Sequence, residues 1–139
     1  MSLVLASLET AIAPASATAS FRIFRSQANP TYHQLSLQDD RASRAHWIIP
    51  VSLKQLVKHA VLLWQLPGSC PAGTLTSLDS GTMRLAPAHP GALPDLRADL
   101  AEGTLRLHFE GQLLRGYFRL QCLPEGGGQL WQLTPIGYL

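Results

Sequence analysis

The sequence predicts an all-β fold: a small closed antiparallel β-barrel of about eight strands with one short helix. Three observations support this class. Short segments in which apolar and polar residues alternate follow one another from Phe21 onward. Gly and Pro separate these segments at short intervals. The turns between them are short and regular, which favours a closed barrel over a sandwich.

Length and charge limit the possible functions. With 139 residues, the chain has room for one domain with a single core. Its formal net charge is only +2, so the overall field does not by itself indicate a nucleic-acid partner. Charged residues make up 14% of the chain, well below the roughly 25% that is usual for soluble domains. This composition predicts either a large buried fraction or a surface that meets a partner.

The amino-terminal residues differ in composition from the rest. Residues 1–20 are mostly small and apolar, and we predict a tail or a short helix there, ahead of a barrel domain at 21–139. A helix in this segment would end at Pro14, because proline cannot continue one.

The chain carries features of a cytoplasmic protein. No Lys or Arg precedes the first apolar run and Glu9 interrupts it, which disfavours an export signal. Cys70 and Cys122 lie far apart, without a neighbouring cysteine, which favours a reducing compartment over a disulfide scaffold or a zinc knuckle. No stretch is long and apolar enough to cross a membrane.

Alternation places strands in the first part of the barrel domain. Phe21 and Ile23 belong to the first strand, and "TYHQLSLQ", "AHWIIP" and "KHAVLL" follow as further strands. "GTLTSL" and "TMRL" come next, and the intervening "DSG" predicts a tight hairpin in which Gly81 takes positive φ. Asp79 is then expected to bond the backbone amides of its own turn.

The carboxy-terminal part shows the clearest pattern. "LRLHFE" alternates cleanly, "EGQ" predicts a turn, and "RGYFRLQCL" predicts a strand with an irregularity at Gly116. "EGGG" predicts another turn before the last strand, "QLWQLTP". The one predicted helix is "PDLRADLAE", with Pro94 in its first turn and Gly103 at its end.

Common catalytic motifs are absent from the sequence. It contains no P-loop, G-x-S-x-G, H-E-x-x-H or C-x-x-C motif. The histidines are scattered singly: His33, His46, His59, His89 and His108. Each taken alone is interpreted as a surface or hydrogen-bonded structural residue, although barrel strands can bring distant ligands together.

Basic residues concentrate between positions 22 and 58. Arg22, Arg25, Arg41, Arg44, Lys54 and Lys58 all fall there. Only Asp39 and Asp40 oppose them in this segment. The candidate nucleic-acid-binding residues are Arg22, Arg25, Arg41 and Arg44, with Tyr32 and Trp47 available to stack on bases. The alternative is a mixed solvated face whose arginine stems cover apolar surface.

The order of the segments adds a resemblance. "FRIFRSQANPTYHQLSLQ" is followed by "HWIIP", then by "CPAGTLTSLDSGTM", "EGTLRLHFEGQLLRGYFRLQCL" and "LWQLTP". In this order they resemble the 3′-phosphoesterase domain of bacterial DNA ligase D, whose opening reads F-V-V-Q-x-H-x-A-x-x-L-H-Y-D-F-R-L-E and then S-W-A-V-P. The resemblance covers most of the chain, is most specific at the carboxyl terminus, and implies a β-barrel.

That family trims ribonucleotides and phosphates from the 3′ ends of DNA with manganese. The resemblance places its two motif histidines on Ser26 and Tyr32, its aspartate on Gln34 and its arginine on Ser36. These four residues cannot supply the anionic ligand set that a hard divalent ion needs. Shifting the motif by one residue onto His33 would turn the apolar face of the strand outward. His33 is therefore expected to point away from the site.

Three hypotheses follow from the sequence. The first is a catalytically degenerate 3′-phosphoesterase-like domain with no metal or cofactor, which binds DNA ends or a protein in a repair or end-joining setting. The second is a manganese-dependent enzyme with a relocated site built from some of His33, His46, His59 and Asp79. The third is a barrel that serves protein contacts only.

Overall fold

The computed structural model describes residues 19–26, 33–67, 75–86 and 93–137. Eight strands lie within these ranges: β1 Ala19–Ser26, β2 His33–Asp39, β3 Arg44–Ile49, β4 Val61–Leu66, β5 Leu75–Leu85, β6 Thr104–Glu110, β7 Arg115–Cys122 and β8 Leu130–Ile136. The helices there are α1 Leu53–Leu56 and α2 Leu96–Glu102, with a 3₁₀ turn at Pro124–Gly126. The predicted amino-terminal tail, apart from its last two residues, lies outside the described ranges.

The strands form a closed antiparallel barrel in the order β1-β2-β3-β4-β8-β7-β6-β5, with β5 returning to β1. Sequential hairpins account for most of this order, and the β4–β8 and β1–β5 pairings close it. The predicted fold class is therefore confirmed. No helix in the described part of the chain is long and apolar enough to span a membrane.

Alternation along the strands fills the barrel interior with apolar side chains. Phe21 and Phe109 meet edge to face, with ring centroids 4.9 Å apart. Trp47 and Trp131 meet in the same way at 5.5 Å. Such aromatic pairs add to the stabilisation that burial alone provides. On β1, β2 and β3 the odd-numbered residues, such as Phe21, Leu35 and Trp47, face the interior, and their even-numbered neighbours have the outward parity. Gln34 has this outward parity but is also fully buried.

Strand β5 differs from the sequence prediction. "DSG" does not form a hairpin, because β5 runs without interruption from Leu75 to Leu85. Gly81 does not take the positive φ that the predicted turn requires. A Cβ at Gly81 would instead overlap the carbonyl oxygen of Glu110 on β6. Gly81 is thus explained by the close approach of β5 and β6 rather than by a turn, since glycine within a strand often marks a place where another backbone comes close.

Helix α2 confirms the predicted helix, with a change at its start. Asp95 is the N-cap, and its carboxylate accepts hydrogen bonds from the amides of Arg97 and Ala98. Pro94 therefore lies before the helix rather than in its first turn. Gly103 ends the helix as predicted, in the left-handed conformation with φ of 86°. The four-residue helix α1 was not predicted, since so short a helix leaves no periodic pattern.

Candidate functional site

A row of polar side chains crosses the outer face of β1, β2 and β3. In the antiparallel register Arg22 lies opposite Ser36, and Ser36 lies opposite His46. Residues of the other parity on the same strands, such as Leu35 and Leu37, are buried in the barrel. Because directly opposed residues on one face are close neighbours, the register brings an arginine, a serine and a histidine together.

Ser36 and His46 are joined by a short hydrogen bond. The distance from Ser36 Oγ to His46 Nδ1 is 2.7 Å. Burial lowers the pKa of the His46 imidazole, and the nearby charge of Arg44 lowers it further. The ring is therefore neutral at neutral pH, and a neutral imidazole has one acceptor nitrogen. Gln34 Nε2 also donates to Ser36 Oγ at 3.4 Å, and the imidazole tautomer sets which partner donates in the Ser36–His46 bond.

An open cleft of about 510 Å³ surrounds this pair. Its lining combines the exposed side chains of Arg22, Gln38 and Arg44 with the half-buried Ser36 and His46. Among the described residues that line it, none is acidic. A cleft with two guanidinium groups, hydrogen-bonding neutral groups and no carboxylate is suited to an anion.

The predicted basic residues divide into two groups. Arg22 and Arg44 line the cleft. Arg25 lies near the end of β1, opposite His33 and away from the row that contains Ser36. Arg41 lies in the β2–β3 loop, where its guanidinium is 3.8 Å from the Asp95 carboxylate in an exposed ion pair. Tyr32 falls outside the described residues.

The prediction that Trp47 stacks on bases is wrong. Its side chain is 0% exposed and packs against Trp131 in the core. The outward-facing tryptophan is Trp64 on β4, which is 43% exposed and lies opposite Ile48. The sequence did not reveal this, because "VLLW" is apolar at every position and has no alternation that would show which side faces out.

Of the four positions carried over from the phosphoesterase motif, Ser36 lines the cleft and Gln34 is fully buried. Gln34 and Ser36 both have the outward parity of β2 and are hydrogen-bonded to each other. Ser26 is the last residue of β1, and its side chain is not described. His33 lies at the strand end, opposite Ile49. It has the parity opposite to that of Ser36 on β2.

The residues of the relocated-site hypothesis do not converge. In the described part of the chain, no group of three His, Cys, Asp or Glu residues is arranged to hold a metal ion. His59 follows α1 and is exposed. His89 is not part of this hypothesis, and it lies outside the described residues.

Asp79 has a structural role that differs from the predicted one. Its carboxylate accepts hydrogen bonds from four backbone amides at 2.8–3.0 Å: that of the adjacent Ser80 and those of the distant Gln112, Leu113 and Leu114. Burial acts to raise the pKa of this carboxyl, but the four amides together outweigh it and hold the pKa below its ordinary value. Asp79 thus anchors the β6–β7 loop rather than its own turn.

Comparisons with known proteins leave the family unassigned. The chain matches no protein-family model and no curated protein.

Proposed function

We propose that the protein is a phosphoesterase-like barrel without metal catalysis that binds the phosphate-bearing end of a DNA strand in the Arg22–Arg44 cleft. The observation that carries the proposal is the composition of this cleft: two guanidinium groups flank a hydrogen-bonded, uncharged Ser36–His46 pair, and no acid lies among the described lining residues.

The chemistry of a terminal phosphate fits this arrangement. Guanidinium groups bind phosphate oxygens through paired, charge-assisted hydrogen bonds. The side-chain amide of Gln38 adds a neutral donor beside them. A carboxylate in the cleft would repel phosphate but would help to bind a divalent metal ion. Its absence from the described lining therefore favours direct phosphate binding over metal-assisted hydrolysis.

The resemblance supports the proposal that the bound phosphate lies at the 3′ end of a DNA strand. By the resemblance, Gln34 and Ser36 fall on the family's aspartate and arginine. Ser36 lines the cleft, and Gln34 donates a hydrogen bond to Ser36. A site that once processed 3′ ends would retain its shape for a strand end after losing its ligands. A setting in DNA repair or end joining is part of this proposal.

The test is gel retardation of a labelled primer-template that ends in a 3′ phosphate, with the 3′-hydroxyl form as the competing probe. We expect about tenfold tighter binding of the phosphate form, the factor that 1.4 kcal/mol of added charge-assisted bonding gives. The double variant Arg22→Gln/Arg44→Gln should abolish the preference. It should also reduce the slope of log affinity against log salt by about 1.4, since each single-strand phosphate contact contributes roughly 0.7.

A matched control removes the same charge elsewhere. Lys54 and Lys58 are exposed on and after α1, away from the cleft lining. Lys54→Gln/Lys58→Gln should keep the preference for the phosphate form. Manganese-dependent trimming of the 3′ end that chelator removes would overturn the proposal in favour of a relocated enzyme site. Absence of both trimming and retardation would leave a barrel for protein contacts.

A further inference from the structure

A second basic surface lies on the outer face of β5, β6 and β7. It consists of the exposed arginines Arg84, Arg106, Arg115 and Arg119, together with His108, Tyr117 and Glu110, and is called the β6–β7 face below. The sequence does not reveal this surface, because these arginines are spread over more than thirty positions of the chain and converge only through strand pairing.

The register places two arginines directly opposite each other. Arg106 on β6 pairs with Arg119 on β7, and both are exposed. Like charges in directly opposed positions destabilise a sheet. Among the described residues, neither arginine has an ion-pair partner, since the Glu110 carboxylate pairs with Arg84 and lies 3.6 Å from His108 Nδ1. A bound polyanion would remove this repulsion and gain two charge-assisted contacts.

The β6–β7 face combines arginines with a stacked aromatic pair. Arg115, Tyr117 and Arg119 follow one another on the outward parity of β7. Four residues along an antiparallel strand advance roughly 13.6 Å, so this distance separates Arg115 from Arg119 and Tyr117 lies midway between them. Between the outer two arginines, His108 and Tyr117 stack with ring centroids 4.3 Å apart and planes 24° apart. Such an aromatic pair beside arginines suits base contacts in single strands.

The β6–β7 face is separate from the Arg22–Arg44 cleft. In the barrel order, β2 and β7 are four strand steps apart in either direction. Ser36 on β2 and Arg119 on β7 therefore lie on opposite sides of the barrel. Arg106 and Arg119 lie on β6 and β7, neither of which pairs with β1, β2 or β3, so substitutions at these two positions do not alter the cleft lining.

We propose that the β6–β7 face binds the sugar-phosphate backbone of single-stranded nucleic acid, independently of any strand end. Arg106 and Arg119 contact phosphates, and Tyr117 supports a neighbouring base. Together with the cleft, this second site would allow one barrel to hold two nucleic-acid segments, but binding at this face does not depend on the cleft's proposed function.

The test uses a circular single-stranded DNA, which has no ends for the cleft to bind. Affinity is measured as a function of salt for the full chain. Arg106→Gln/Arg119→Gln should weaken binding at least tenfold and reduce the salt slope by about 1.4. Tyr117→Ala should weaken it by about tenfold, the factor expected for loss of one stacked base. Circular dichroism and the thermal midpoint establish that each variant folds.

The variant Lys54→Gln/Lys58→Gln supplies the matched control, because it removes equal charge from exposed positions that belong neither to the β6–β7 face nor to the cleft lining. It should leave the affinity for circular DNA within about twofold of the original protein. Equal losses in the two double variants would overturn the proposal, since they would indicate a general charge effect. Polyglutamate that competes as well as DNA of equal charge would also overturn it, in favour of an acidic protein partner.

Discussion

Replacing Asp79 by asparagine tests whether one buried carboxylate holds the β6–β7 loop. Each carboxylate oxygen accepts two amide hydrogen bonds: one binds Ser80 and Gln112, and the other binds Leu113 and Leu114. Asparagine keeps one acceptor oxygen but presents an NH₂ group to the other pair of amide donors. Asp79→Asn therefore removes two bonds and adds a donor–donor clash without changing the side-chain volume.

The size of the loss follows from the burial of these amides. If asparagine orients its oxygen toward Leu113 and Leu114, the buried Leu114 bond survives and the half-buried Gln112 amide turns to water. Two such hydrogen bonds at about 1 kcal/mol each give a loss of about 2 kcal/mol at pH 7. Asp79→Ala also leaves the Leu114 amide without its acceptor, which raises the expected loss to about 3 to 5 kcal/mol.

The loss should depend on pH in a defined direction. The native pKa of Asp79 lies below its ordinary value of 3.8, so its carboxylate stabilises the fold fully above about pH 4. This contribution is lost as pH falls through the native pKa, because the protonated acid resembles asparagine. The stability difference between the original protein and Asp79→Asn should therefore shrink at low pH.

Urea unfolding followed by tryptophan fluorescence measures this difference, since Trp47 and Trp131 report on the core. Asp40→Asn, which removes an exposed carboxylate, is the control and should change stability by less than about 0.5 kcal/mol. An Asp79→Asn variant as stable as this control at pH 7 would refute the reasoning. So would a loss of the same size at pH 7 and at pH 2.5.

Two further substitutions test packing and charge. Gly81→Ala should lower the free energy of unfolding in urea by about 2 to 3 kcal/mol, because the added Cβ meets the Glu110 backbone. Gly137→Ala is the control and should be nearly neutral, because the space around Gly137 is open. Equal stability of the two variants would contradict the close approach of β5 and β6 as the cause. Burial, then the charges of Glu102 and Asp95, raises the pKa of Asp99 to about 6. Its ionisation in the fold therefore costs stability as pH rises from about 4 to 6. Asp99→Asn should stabilise by about 1 to 2 kcal/mol at pH 7 and progressively less toward pH 4, and a pH-independent gain would argue against this cause.

Where the sequence pattern was unambiguous, the structural prediction was correct. The alternation of Leu105, Leu107 and Phe109 placed β6 and its inward face, and Gly103 ended α2 as expected. Where both faces of a strand are apolar, as around Trp64, parity could not be read and the exposed tryptophan was missed. "DSG" satisfied a local turn rule, but pairing with β1 and β6 kept the chain extended there.

The sequence by itself determined the barrel class and helix α2, because these depend on local alternation and capping along the chain. Only the tertiary structure decided which side chains share a surface. The Ser36–His46 bond, the Asp79 anchor of a distant loop and the opposed Arg106 and Arg119 all arise from strand register. Register depends on the packing of the whole closed sheet, which no short stretch of sequence contains.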